Sequence, residues 1–265
     1  MKIKGYVLAI TLALLVGLYA GANFSLTGNA ANKADNNSRG RGNPCQGLPT
    51  ERQLAQYLRT APNTDGDAGG LFNGKRMWGA LVNRDGGLCG AATSTDDPTQ
   101  VWPGSQAIAK AKAYTANAYS LDSLALSTAR LYTFTQPGHS LWSLAGANNF
   151  NPHALTAPDG DGRDHNRSRG GDIIGGQIYF GGGVPLYKDG KIIGALGISG
   201  DTSCADHEIA KRVRDLAGLN PPGGKLVDDI TYSNPDGASV FTHPLCVNTY
   251  RNGGFIGNEA VATGY

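Results

Sequence analysis

Five histidines, His139, His153, His165, His207 and His243, are scattered through the chain, and no two stand at ligand spacing such as i and i+4 on a helix. That distribution argues against a tetrahedral zinc site. Haem iron asks for less, one axial His or Tyr beside an apolar slot, so the scatter is compatible with it. Covalent c-type attachment is excluded, because the chain has no C-x-x-C-H. His207, between Asp206 and Glu208, is either such a ligand or a capping and surface residue in the first turn of a helix. Gly138-His139-Ser140-Leu141-Trp142 approaches the G-x-S-x-G nucleophile elbow, but Trp142 stands where the sharp strand-to-helix turn needs glycine, and Pro137 spoils the strand before it. Residues 159–164 (DGDGRD) alternate carboxylates like the start of a calcium loop, yet lack the glycine and the twelfth-position Glu of an EF-hand, so they read as a solvated loop. H-E-x-x-H, the P-loop and G-x-G-x-x-G are all missing.

The elements that must position these residues centre on 181–219. Residues 184–187 and 192–199 are apolar, β-branched runs joined by Lys188-Asp189-Gly190-Lys191, whose Asp-Gly pair suits the positive φ of a tight hairpin turn. Ser203 and Asp206 resemble a capping box, with Asp in place of Glu. Ile209, Val213, Leu216 and Ala217 then recur at helical spacing, which predicts a helix packed back on the hairpin. At about 100° per residue, Ala205 falls near that face and His207 roughly opposite, which predicts His207 outside the monomer's core.

Upstream, Thr50 caps a first helix with Leu54, Tyr57, Leu58 and Ala61 on one face, ended by Pro62. Residues 77–83 and 88–93 flank Arg84-Asp85-Gly86-Gly87 as a second hairpin. Ser105 opens an alanine-rich helix over 106–119 that lets another element approach closely, with Lys110, Lys112, Tyr114 and Thr115 as its larger groups. Residues 121–131 are expected to form a third helix broken by Gln136-Pro137-Gly138, 157–172 a surface loop, and 173–180 a further strand. This order predicts an α/β (α+β) fold with a central antiparallel sheet and packed helices.

Of 265 residues, 40% are hydrophobic and 17% charged, a globular balance, and 23 basic against 21 acidic residues leave +2, too little for a nucleic-acid surface. Lys2 and Lys4 precede an apolar run over 6–20 and small residues Ala20-Gly21-Ala22, which reads as a cleaved export signal. An uncleaved anchor is the alternative, although the run is short for a bilayer span, so no stable membrane insertion is expected after cleavage. The chain is expected to divide into a signal (1–22), a disordered linker (23–44), a domain (45–218) and a C-terminal extension (219–265). Export to the periplasm or beyond fits four widely spaced cysteines, Cys45, Cys89, Cys204 and Cys246. Three pairings are open. Cys45 with Cys89 and Cys204 with Cys246 is favoured, because each bond would tie a terminal segment to the central unit.

Residues 104–121 (GSQAIAKAKAYTANAYSL) and 181–214 (GGGVPLYKDGKIIGALGISGDTSCADHEIAKRVR) resemble two blocks of the GlcG/HbpS haem-binding-like family, especially exported proteobacterial members with S-C-A-D-H after the last strand. ALSTARL (125–131), QPGHSL (136–141) and the His243-Pro244-Leu245-Cys246 context are similar too. The resemblance implies a profilin-like fold, frequent homo-oligomerisation and non-covalent haem binding. His207, Lys112, Tyr114 and Thr115 lie in the matching blocks, with His207 the iron-ligand candidate and Tyr114 its phenolate rival. Haem storage, scavenging or sensing is the function so implied. A haem-degrading enzyme and a non-haem structural or accessory oligomer are the alternatives.

Overall fold

The computed structural model describes residues 43–152 and 173–261. The export signal, most of the linker, the carboxylate-rich loop 157–172, His153 and His165 lie outside the described residues. Helix α1 (Glu51–Thr60) begins at a reciprocal cap: Gln53 N–H donates to Thr50 Oγ1 (3.2 Å) and Thr50 N–H to Gln53 Oε1 (2.9 Å). Strand β1 (Asp67–Gly69) follows, then the hairpin of β2 (Trp78–Asn83) and β3 (Leu88–Thr93), helix α2 (Gly104–Tyr119), the hairpin of β4 (Gly183–Lys188) and β5 (Lys191–Ser199), helix α3 (Ser203–Leu216) and strand β6 (Thr249–Gly257). Asp189 (φ 51°) and Gly190 (φ 76°) make the β4–β5 turn, as the Asp-Gly pair predicts.

The main sheet runs β3-β2-β5-β4 with every neighbour antiparallel, and β1 pairs with β6 in a separate ribbon. The pleat sorts β5 residues between two layers. Leu196 and Ile198 join Leu54 and Leu58 of α1 and Ile209 and Val213 of α3 in one core. Ala195 joins Ala113 and Ala116 of α2 in another. Each fully buried aliphatic side chain contributes roughly 1.5–3 kcal/mol. Gly197 faces α2 so closely that a Cβ there would lie 1.9 Å from Ala109 O, so the small residues of the helix meet a strand position with no side chain. Both disulfides form, Cys45–Cys89 and Cys204–Cys246. Among the described residues, no helix is long and apolar enough to cross a membrane.

Three expectations are corrected. Residues 121–131 are not a helix beyond a short 3-10 segment, Thr128–Leu131, because a distant phenol and a neighbouring serine capture the backbone. Tyr187 OH donates to the carbonyls of Leu121 (2.7 Å) and Leu124 (3.2 Å), and Leu126 N–H donates to Ser120 Oγ (3.0 Å). Residues 173–180 are not a strand but make isolated bridges, Ile173 to Gly87 and Gly175 to Phe150, since Gly175 (φ 62°) and Gly176 (φ 71°) turn the chain out of the extended region.

The third correction concerns α3. Its cap is Thr202, whose side chain accepts from Ala205 N–H, and not Ser203. Asp206 turns inward instead of closing a capping box, and Leu216 is exposed. His207, expected outside the core, is 1% exposed, and every residue from Cys204 through Arg214 is buried. The cause is cover from several segments: the one after α3 lies over its polar side and supplies partners for Glu208, Lys211 and Arg214, the carbonyls of Ala61, Asp65, Gly66 and Asp67 take Arg212, and Lys112 takes Asp206.

Candidate functional site

Two places gather the residues singled out above. The first is where residues 181–183 pass between α2 and α3. A Cβ on Gly182 would lie 2.7 Å from Lys112 Nζ and 3.0 Å from Asp206 Cβ, and one on Gly181 would lie 2.2 Å from Ser203 O. Only glycine lets the chain through this gap. Lys112 Nζ donates to Asp206 Oδ2 (2.6 Å) and Ile198 O (3.0 Å) and lies 4.9 Å from the Phe180 ring centroid. Burial lowers the Lys112 pKa despite the carboxylate beside it, and burial raises Asp206 to about 6 against the pull of Lys112 and the Asp201 N–H. Desolvation therefore pushes both partners towards neutrality across a short hydrogen bond.

One residue on, His207 Nε2 faces Asp229 Oδ1 at 3.3 Å, and Nδ1 has no hydrogen-bond partner among the described residues. Asp229 also accepts from Lys211 Nζ (2.9 and 3.0 Å). Burial alone would raise its carboxyl, but the His207 contact and the Lys211 charge together hold it well below the usual range. Lys211 further bonds Glu208 Oε1 (2.6 Å) and Asn252 Oδ1 (2.9 Å). Arg214 makes a bidentate pair with Asp228 (2.6 and 2.9 Å), both side chains at most 1% exposed. His243 completes the junction: Gly181 N–H donates to Nε2 (3.2 Å), and Nδ1 lies 2.7 Å from Pro244 O. Burial lowers its pKa to about 4, so the ring is neutral near pH 7.

The second place is a cleft of about 320 Å³ along the opposite helix, α2, lined by Ala107, Ile108, Ala111, Phe150 and Ile178 among others. Tyr114, one turn beyond Ala111, packs with Phe150 against the same core, its ring close to Gly86. Thr115 is structural here: its hydroxyl donates to Ala111 O (2.8 Å) and accepts from Ile178 N–H (3.0 Å), fixing one wall of the cleft. The four candidates thus divide: Lys112 and His207 sit at the buried junction, Tyr114 and Thr115 beside the cleft. Spacing in the sequence does not point to Asp228, Asp229 or Phe150. A usable signal existed for the two acids, an Asp-Asp pair in the tail facing a helix with three bases, Lys211, Arg212 and Arg214, in four residues.

A four-stranded antiparallel sheet with α2 on one face and α1 and α3 on the other makes this an α+β domain, with an open cleft along one helix. A sequence model described as "haem degrading protein HbpS-like" matches residues 73–215, and the chain belongs to this HbpS-like family. No curated protein matches it. Among solved structures, Klebsiella pneumoniae protein ORFY is 21% identical, with a TM-score of 0.42 over 63% of this chain and 86% of that one. A PduOC:heme complex is 22% identical, with a TM-score of 0.43 over 64% and 92%. A double mutant of Streptomyces reticuli HbpS is 18% identical, with a TM-score of 0.38 over 63% and 86%.

The two places differ in how they suit haem. At His207 the ring is shut in by Gly181 and the C-terminal segment and its Nε2 faces Asp229, so iron reaches it only if that segment lifts. Along α2 the lining is mostly apolar, with Asn148, Asn149 and Gln177 at its polar positions, which suits a porphyrin face, and Tyr114, packed beside the cleft, offers an oxygen donor from the same helix.

Proposed function

We propose that this chain is an exported protein that binds haem non-covalently against α2, acting in haem storage, scavenging or sensing. The observation that carries the reading is the open apolar cleft of Ala107, Ile108, Ala111, Phe150 and Ile178, inside the stretch the family model matches. Bound haem would supply an iron centre able to take a ligand from the chain. The chain's own part is to shed water from the porphyrin face, to hold the wall through Thr115, and to present Tyr114. Lys112 acts behind the site by keeping α2, Ile198 and α3 together. The cleft is open on one side, and the proposal includes a second copy of the chain as the other wall, read out by light scattering with and without hemin.

The test is hemin titration followed by absorption. Tyr114→Phe is expected to shift the Soret maximum and weaken binding at least tenfold with unchanged far-ultraviolet dichroism. His207→Ala is expected to leave the Soret position alone. The opposite pattern returns the ligand role to His207, and no binding by the parent chain leaves the accessory-oligomer reading. A second reading, oxidative haem breakdown, is favoured by the family's description. It predicts loss of the Soret band only when reductant and oxygen are both added.

A further inference from the structure

Cys204, Cys246 and His243 each offer a ligand atom, and these atoms all lie within 4.8 Å of one another, all buried. It is the only such grouping of three or more His, Cys, Asp or Glu ligands among the described residues. Oxidised, the two sulfurs are spent on each other. We propose that reduction of Cys204–Cys246 converts this latch into a Cys₂His site for a thiophilic cation such as Zn²⁺. The proposal is independent of the haem reading and lies outside the α2 cleft.

The geometry supports it because each ligand is held by contacts other than the S–S bond. Cys204 sits in the first turn of α3. Cys246 is anchored by a reciprocal pair with Thr249, its N–H donating to Oγ1 and its carbonyl accepting from the same hydroxyl, both at 2.7 Å. Thr249 in turn starts β6, which is paired to β1. His243 is held by its own N–H on Thr231 O (2.8 Å), by Gly181, by Pro244 O, and by the Tyr132 ring at 5.1 Å. After reduction the three donors therefore stay close. One tetrahedral ion needs its ligands roughly 3.5 Å apart, from metal–ligand distances of 2.0–2.3 Å, so small side-chain rotations suffice once one ring nitrogen of His243 exchanges its present partner, Gly181 N–H or Pro244 O, for the metal.

The surroundings also favour the thiolate a metal requires. Cys204 N–H, at the positive end of α3, points at Cys246 Sγ from 3.2 Å, and Ser203 Oγ lies 3.3 Å from it. Two thiolates and one imidazole are a soft donor set suited to Zn²⁺ or Cu⁺, with a fourth position left to water or the Ser203 hydroxyl. The balance is simple. A dithiol gives two electrons and two protons to the S–S bond and becomes a disulfide itself; the entering cation then displaces both thiol protons to solvent.

The experiment uses the full chain reduced anaerobically with a trialkylphosphine, which becomes the phosphine oxide, and titrates it with Zn²⁺ against a colorimetric chelator. One Zn²⁺ per chain is expected in the reduced protein and none in the oxidised one. Co²⁺ in its place should give a near-ultraviolet sulfur-to-metal charge-transfer band. Cys246→Ser should abolish uptake. His243→Gln, which keeps both disulfides in the oxidised state, should weaken it at least tenfold once reduced. Equal uptake by reduced and oxidised chains overturns the proposal. So does unchanged affinity in His243→Gln, or a reduced chain that stays unfolded by dichroism with zinc present.

Discussion

Helices α2 and α3 lie on opposite faces of one sheet and reverse what their sequences suggest. The alanine-rich α2 keeps an open, apolar cleft along part of its length, whereas α3, with seven charged residues or histidine between Asp206 and Asp215, is enclosed through eleven successive positions. Charge on a helix marks solvent only when no other part of the chain brings partners to it. On α3, Asp228 and Asp229 supply counter-charge and Asn252 an amide oxygen, the Cys204–Cys246 bond holds their segment there, and the carbonyls of Ala61, Asp65, Gly66 and Asp67 take Arg212. Closing that loop removes roughly 4 kcal/mol of unfolded-state entropy in the chain-entropy model.

The contrast breaks most severely at its most enclosed pair. Asp228→Ala leaves Arg214 buried without its bidentate partner and is expected to cost about 3–5 kcal/mol in urea denaturation. A loss under 1 kcal/mol would mean that water reaches Arg214 and that α3 is not sealed.

A pH titration sharpens the comparison with a smaller effect. The folded-state pKa of His243 is depressed from 6.5 to about 4, so its contribution is present above pH 6.5 and is lost as pH falls through 4. Asp206, raised to about 6, works the other way, favouring the fold below 3.8 and losing that effect as pH rises through 6. The stability difference between the parent and His243→Gln cancels Asp206 and should shrink by about 3 kcal/mol between pH 6.5 and 4. A difference that stays flat would show an imidazole open to solvent.

On the α2 side the expected stability change is smallest. Ala107→Phe fills a half-buried cleft position and should move stability by no more than about 0.5 kcal/mol. Hemin affinity should nevertheless fall at least tenfold. Undiminished affinity would place haem away from this face.

Local chemistry made much of the fold legible. Thr50 caps α1 as predicted, Asp189-Gly190 makes the hairpin turn, and alanines in α2 accept a strand at Gly197. Each depends on residues within a few positions, or on one face of one element, which periodicity reports directly. The site was legible only in pieces: Tyr114 and Thr115 were named, but Phe150 across the cleft was not, because nothing local links residue 150 to residue 111.

Sequence alone was enough for α1, α2 and α3, for the β2–β3 and β4–β5 hairpins, for the family blocks and for the inward face of α1. It took the packed chain to seal α3 along its polar side and to leave a cleft along part of α2. His207 shows the reason. Helical period places it opposite Ile209 and Val213, and that angle is correct, but a helix has a solvent side only until another segment lies on it. Residues more than twenty positions downstream bring the carboxylate of Asp229 to its ring and the sulfur of Cys246 to its helix, and no periodicity within α3 encodes their arrival.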